Sequence, residues 1–221
     1  MSRGLGARLS VVAFAVPLLA AALPGDAPAR SLRAQAYEFV GGEGECGDDW
    51  PAGSRIVQAE WLAGLGLPDE RGPGRSGLLL SKNGPTPDCS AAVVRIRGIA
   101  GTVLEELGFD YRNGSHCGGG SPRFSVVSRE GFSYFVGCTS GAAAAAPGDQ
   151  AQWTRVRFDA RAFVGASPDA PPFELGVTRL ARLYIVFDEG TDASSAGNPA
   201  GVGLAVLDNI DVNGRFVTRG N

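Results

Sequence analysis

From residue 76 to the C-terminus, apolar residues come in short continuous or alternating runs, each cut off by Gly, Pro, Asn or Asp, and helical spacing is weak. This punctuation limits the possible folds more than any other feature, because a chain broken so often cannot build long helices. "SGLLLSKNGP" (76–85) is a strand running into an Asn-Gly-Pro turn, and "AAVVRIRGI" (91–99) sets Val94 and Ile96 against Arg95 and Arg97. "TVLEELGFDYRNG" (102–114) places Val103, Leu107, Phe109 and Tyr111 on one face before a second Asn-Gly. "RFSVVS" (123–128) and "FSYFVGC" (132–138) have the spacing of a hairpin. "WTRVRFDA" (153–160) alternates, "RLYIVFDEG" (182–190) is continuously apolar, and "GVGLAVLDNIDVNG" (201–214) is the last long run, followed by "RFVT". Some nine or ten strands at this spacing predict an all-β fold, a two-sheet antiparallel β-sandwich of jelly-roll type. "GAAAAAPGDQAQ" (141–152) is too short to hold a helix unaided and reads as a surface loop, and "VTRLARL" (177–183) allows one helical turn.

The N-terminal segment has a different character. Arg3 and Arg8 precede an apolar run from Leu9 to Leu23, followed by the small-residue sites Ala27-Pro28-Ala29 and Ala34-Gln35-Ala36. This is the layout of a secretory signal peptide, and the run is short for a membrane span of about 20 residues. Residues 1–36 are therefore expected to be a leader, and residues 37–221 a single secreted domain with no membrane attachment after cleavage. Removing the leader leaves 16 basic and 22 acidic residues, a net charge of about −6. Such a domain lacks the electrostatic footprint of a nucleic-acid binder.

All four cysteines, Cys46, Cys89, Cys117 and Cys138, follow the leader, and an even number in an exported chain points to disulfides. Three pairings are possible; Cys117–Cys138 and Cys46–Cys89 are favoured because each pair flanks a short excursion. "NGSHCGGGSPRFSVV" (113–127) holds the single histidine, His116, next to Cys117. A thiol nucleophile needs a free cysteine with a base in reach, yet neighbours on extended backbone point to opposite faces. A phosphate loop would feed a helix and carry a lysine, and zinc would need further ligands. The stretch reads as a wide turn anchored by a disulfide.

In "GVGLAVLDNIDVNG", period two places Val202, Leu204, Val206, Asp208, Ile210 and Val212 on one face. If that face is the core, Asp208 is buried and must meet an arginine, backbone donors or a cation, unless a bulge turns it outward. Calcium suits a carboxylate site of this kind, in a structural role.

The ending "LAVLDNIDVNG" resembles the last core strand of jelly-roll domains of the galactose-binding-like type, which includes many carbohydrate-binding modules. The resemblance implies a structural calcium at Asp208, joined by acidic residues near the N-terminus; "YEFVGGEGECGDDW" offers Glu38, Glu43, Glu45, Asp48 and Asp49, none matched to the pattern. The stretch from "GLLLSKNGPT" to "FVGC" also resembles uncharacterised exported bacterial proteins.

Two carboxylate groups have the composition of a glycosidase pair: Glu105, Glu106 and Asp110, and Asp188, Glu189 and Asp192. The first reads as a solvated strand face and the second as a turn, so no catalytic site is expected. Sugar binding would use exposed aromatic rings, and Trp50, Trp61 and Trp153 are the candidate ligand-binding residues, with Tyr184 set inside a core-like strand. The expected function is a secreted non-catalytic binding module for an extracellular glycan or other surface ligand. The alternative is a structural or cell-envelope interaction protein without a small-molecule site, and a hydrolase comes third.

Overall fold

The computed structural model describes residues 31–39, 57–67, 76–82, 90–188 and 203–220. They form the expected β-sandwich, two mostly antiparallel sheets packed face to face. The front sheet contains β1 (Arg33–Phe39), β4 (Ala91–Arg97), β6 (Arg123–Ser128), β7 (Ser133–Gly137), β10 (Val164–Gly165), β11 (Leu180–Phe187) and β14 (Thr218–Arg219). Its spatial order is β10-β7-β6-β11-β4-β1-β14, with β1 and β14 parallel. The back sheet contains β2 (Val57–Ala63), β3 (Ser76–Lys82), β5 (Leu107–Arg112), β8 (Ala142–Ala145), β9 (Trp153–Arg157) and β12 (Leu204–Val212). Its order is β2-β3-β12-β5-β9-β8, and β13 (Arg215–Phe216) folds back onto β12.

Alternation in the sequence becomes inside and outside in the fold. Val94 and Ile96 are buried between the sheets while Arg95 and Arg97 are exposed. From the back sheet Leu78, Leu80, Leu107, Phe109 and Val156 enter the same core. Phe109, Phe124 and Phe158 meet there with ring centroids 5.5 to 5.8 Å apart. Fully burying such a side chain stabilises the fold by roughly 1.5–3 kcal/mol.

Two expectations are corrected, and a third observation bears on the expected leader boundary. The Ala142–Ala145 run is an edge strand paired with β9, although all four alanines are exposed. Backbone bonds to a neighbouring strand hold it, a cause that composition does not reveal. "RLYIVFDEG" is not a core strand on both faces: Leu183, Ile185 and Phe187 point inward, while Tyr184 and Val186 lie half-buried on the outer face. The boundary set between residues 36 and 37 falls inside β1, which pairs with β4 from Arg33↔Arg97 to Phe39↔Ala91. Leu32 and Ala34 are core residues, so the small side chains of Ala34 and Ala36 serve packing within the sandwich.

The sheets differ on their outer faces. The back sheet carries a second apolar cluster of Leu67, Leu79, Ala146, Trp153 and Val206, with Leu62, Leu65 and Leu204 packed against it. The front sheet instead leaves Tyr37, Phe39, Phe135 and Val164 exposed.

Candidate functional site

The Cys-His loop is anchored by the expected disulfide. Cys117 is joined to Cys138 with the Cα atoms 5.3 Å apart. Gly118 donates to the Ser121 carbonyl at 2.6 Å, and the Arg123 guanidinium donates to the Gly120 carbonyl at 2.9 Å. Gly137 lies so close under this loop that an added Cβ would sit 1.8 Å from the Gly119 carbonyl oxygen. The His116 amide donates to the Leu204 carbonyl at 2.7 Å, and its ring meets Phe187 edge-on at 5.7 Å. Cys46 and Cys89 lie outside the described residues.

Asp208 is buried at 2 % exposure and shares a face with Leu204 and Val206, as the period has it, but that face is the outer side of the back sheet and not the core. Asn209, at φ 44°, breaks the register between β12 and β5, so that Asp208 faces Asp110 and Asp211 faces Gly108. This one-residue bulge reverses the alternation. Ala205, Leu207, Ile210 and Val212 enter the main core, while Val206, Asp208 and Asp211 belong to the outer side of the back sheet. Two backbone donors meet the Asp208 carboxylate: Leu67 N–H at 2.7 Å from Oδ2 and Asn209 N–H at 2.7 Å from Oδ1.

Asp110, expected on a solvated face, is fully buried. Arg155 donates to both its oxygens, Nε at 2.8 Å and Nη2 at 3.0 Å, and the Asn209 amide donates at 2.9 Å. Arg157 extends over Gly108, reaching Asp211 at 3.2 Å and Glu106 at 3.2 Å. Burial pushes the Asp211 carboxyl above the usual carboxylate range, Arg157 pulls it down, and the nearby Glu106 pushes it up again. On the front sheet Asp188 is held by both terminal nitrogens of Arg123. Glu106, Asp110 and Asp188 thus each face an arginine. Glu189 and Asp192 lie outside the described residues.

Neither described tryptophan offers an open ring. Trp61 (7 % exposed) is in the main core and Trp153 (2 %) in the back-sheet cluster, so both are corrected from ligand-binding to packing residues; Trp50 lies outside the described residues. The open aromatic rings are on the front sheet. Tyr37 and Phe39, two residues apart on β1, are 41 % and 45 % exposed, and Phe135 on β7 is 41 % exposed. Cross-strand register sets Phe135 opposite Ser125, Ser125 opposite Tyr184, Tyr184 opposite Arg95, and Arg95 opposite Gln35. Burial raises the Tyr37 phenol pKa first, the neighbouring Tyr184 adds to it, and Arg95 opposes, as expected of three side chains gathered in one place. Arg123 covers the Phe135 ring at 5.3 Å. A cleft of about 360 Å³ opens beside that ring, lined by Gly119, Gly120, Gly137, Ser140 and Val164.

No family model, curated protein or solved structure matches this chain. Its surface chemistry therefore carries the functional argument. The front face combines aromatic rings with guanidinium and amide donors on a rigid sheet, which suits stacking and hydrogen bonding to an extended ligand. The sequence signal for it is the alternation Gln35-Tyr37-Phe39, which the expected leader boundary after residue 36 divides.

Proposed function

We propose that this protein is a secreted, non-catalytic binding module that takes an extracellular glycan on the outer face of its front sheet. The observation that carries the reading is the exposure of Tyr37, Phe39 and Phe135 on the same face as the half-buried Tyr184. Sugar rings present C–H faces that pack on aromatic rings, while Gln35 and Arg95 supply donors to hydroxyl groups. Strands hold these side chains in place, so little ordering is required on binding. The alternative, a cell-envelope interaction protein without a small-molecule site, draws support from the burial of Trp61 and Trp153.

Affinity electrophoresis through gels containing soluble polysaccharides tests the reading. Tyr37→Ala and Tyr184→Ala should each weaken retardation by about tenfold, the loss of roughly 1.4 kcal/mol. Retardation by no polysaccharide would favour the alternative. A structural calcium at Asp208 remains part of this reading only if a cation adds to the two backbone donors already there. Thermal unfolding with calcium and then a chelator, in wild type and Asp208→Ala, decides it: a calcium-dependent rise lost in the variant supports the ion. No calcium effect removes it, and Asp208→Ala should then cost about 1–3 kcal/mol through the orphaned Leu67 N–H.

A further inference from the structure

We infer that the ligand of the front face is a polyanionic glycan, a polysaccharide bearing uronate or other acidic groups; this rests on the glycan-binding reading above. The inference comes from a cluster of arginines that no carboxylate among the described residues pairs with. Arg33 on β1 lies opposite Arg97 on β4, Arg95 is two residues along β4, and Arg182 lies on the neighbouring β11. All four are exposed. Outward residues two apart on a strand are separated by about 7 Å, and adjacent strands by about 5 Å, so these guanidinium groups share one small area. Like charges this close repel one another, and ordinary surfaces intersperse the two signs.

None of the four makes an ion pair among the described residues, whereas Arg123, Arg155, Arg157 and Arg161 all do. Arg97 donates only to the neutral Gln35 side chain. The described carboxylate that β11 brings to this face, Asp188, is already engaged by Arg123. The aromatic rings of Tyr37 and Tyr184 border the same arginines, with Tyr184 opposite Arg95. Planar guanidinium groups pair with carboxylates through two parallel hydrogen bonds, so the face offers acidic groups directional donors and sugar rings a stacking surface. A neutral glucan would use the aromatic rings and leave the arginine cluster without a counterpart.

The experiment measures binding of the intact secreted protein to polygalacturonate, to the same polymer after methyl esterification, to a neutral β-glucan and to single-stranded DNA, at low and raised salt. Wild type, Arg95→Gln/Arg97→Gln and Tyr37→Ala are compared; all three substitutions are on exposed side chains, and unfolding midpoints confirm that each variant is folded. The expected result is binding to polygalacturonate that falls by about tenfold or more on esterification, on raising salt or in the double arginine variant, as for other charge-complementary contacts. Equal binding of neutral glucan and polygalacturonate, unchanged in the arginine variant, would overturn the anionic inference and leave the glycan face standing. DNA binding as tight as polygalacturonate binding would overturn the assignment to a glycan. Failure to bind any of the polymers would overturn both.

Discussion

Asp211 is the residue at which burial and pairing conflict most openly. It is 4 % exposed, its Oδ1 has no hydrogen-bond partner among the described residues, and its Oδ2 accepts from Arg157 at 3.2 Å. Burial outweighs the arginine, and the folded carboxyl pKa lies above its ordinary value of 3.8. A group with a raised folded pKa contributes stability while protonated; that contribution is complete below the ordinary pKa and is lost as pH rises through the folded one. Asp211→Asn, neutral at every pH, should therefore melt higher than wild type at pH 7, and its advantage should shrink as pH falls through the carboxylate range. Thermal melts across that range check this, and a variant less stable by the same margin at every pH would show that the Arg157 pair dominates. The bulge at Asn209 was not legible beforehand, because φ > 0 at an asparagine is a local option that only strand pairing selects.

Among the strands, β1 departs furthest from the sequence reading. Its first half was assigned to a leader because Ala34-Gln35-Ala36 has the small-residue spacing of a cleavage site. Yet those residues are a paired strand, with Ala34 wholly buried and Leu32 held at its start by the Thr218 amide. Cleavage after Ala29, at the other small-residue site, would leave this strand intact. If the chain is exported, the intact mass of the processed protein should correspond to a start at Arg30. A chain begun at Tyr37 would lose Leu32 and Ala34 from the core and the parallel pairing with β14, and should be less stable by several kcal/mol in denaturant titration. The strands that were legible, such as β4, β6, β7 and β9, are those in which alternation coincides with turn residues at both ends.

At the scale of the molecule, the two outer faces have divided roles. The back sheet packs the 62–67 segment and Trp153 over its outer face, beside a polar network of Asp110, Asp208, Asn209 and the partly exposed Arg155. The front sheet stays open and basic. Between them, β11 and β12 come late in the chain but lie inside the two sheets, β11 between β6 and β4 and β12 between β3 and β5. Neither sheet is complete until the chain is nearly finished. The Cys117–Cys138 bridge spans 21 residues, and replacing both cysteines with alanine should cost roughly 3 kcal/mol on the chain-entropy account. Denaturant midpoints of the double variant under oxidising conditions test that value, with Cys46 and Cys89 unchanged.

By itself the sequence determined the class of the fold and the Cys117–Cys138 pairing among its favoured options. Both follow from short-range pattern: alternation, turn residues and cysteine spacing. Tertiary structure alone decided which face each strand presents. A single bulge after Asp208 turned Ile210 and Val212 into the core and left Asp208 on the outer side, and cross-strand register gathered Arg33, Arg95, Arg97 and Arg182 from three separate stretches of chain. Such positions depend on long-range pairing, whose register one inserted residue can reverse, and period two carries no information about that event.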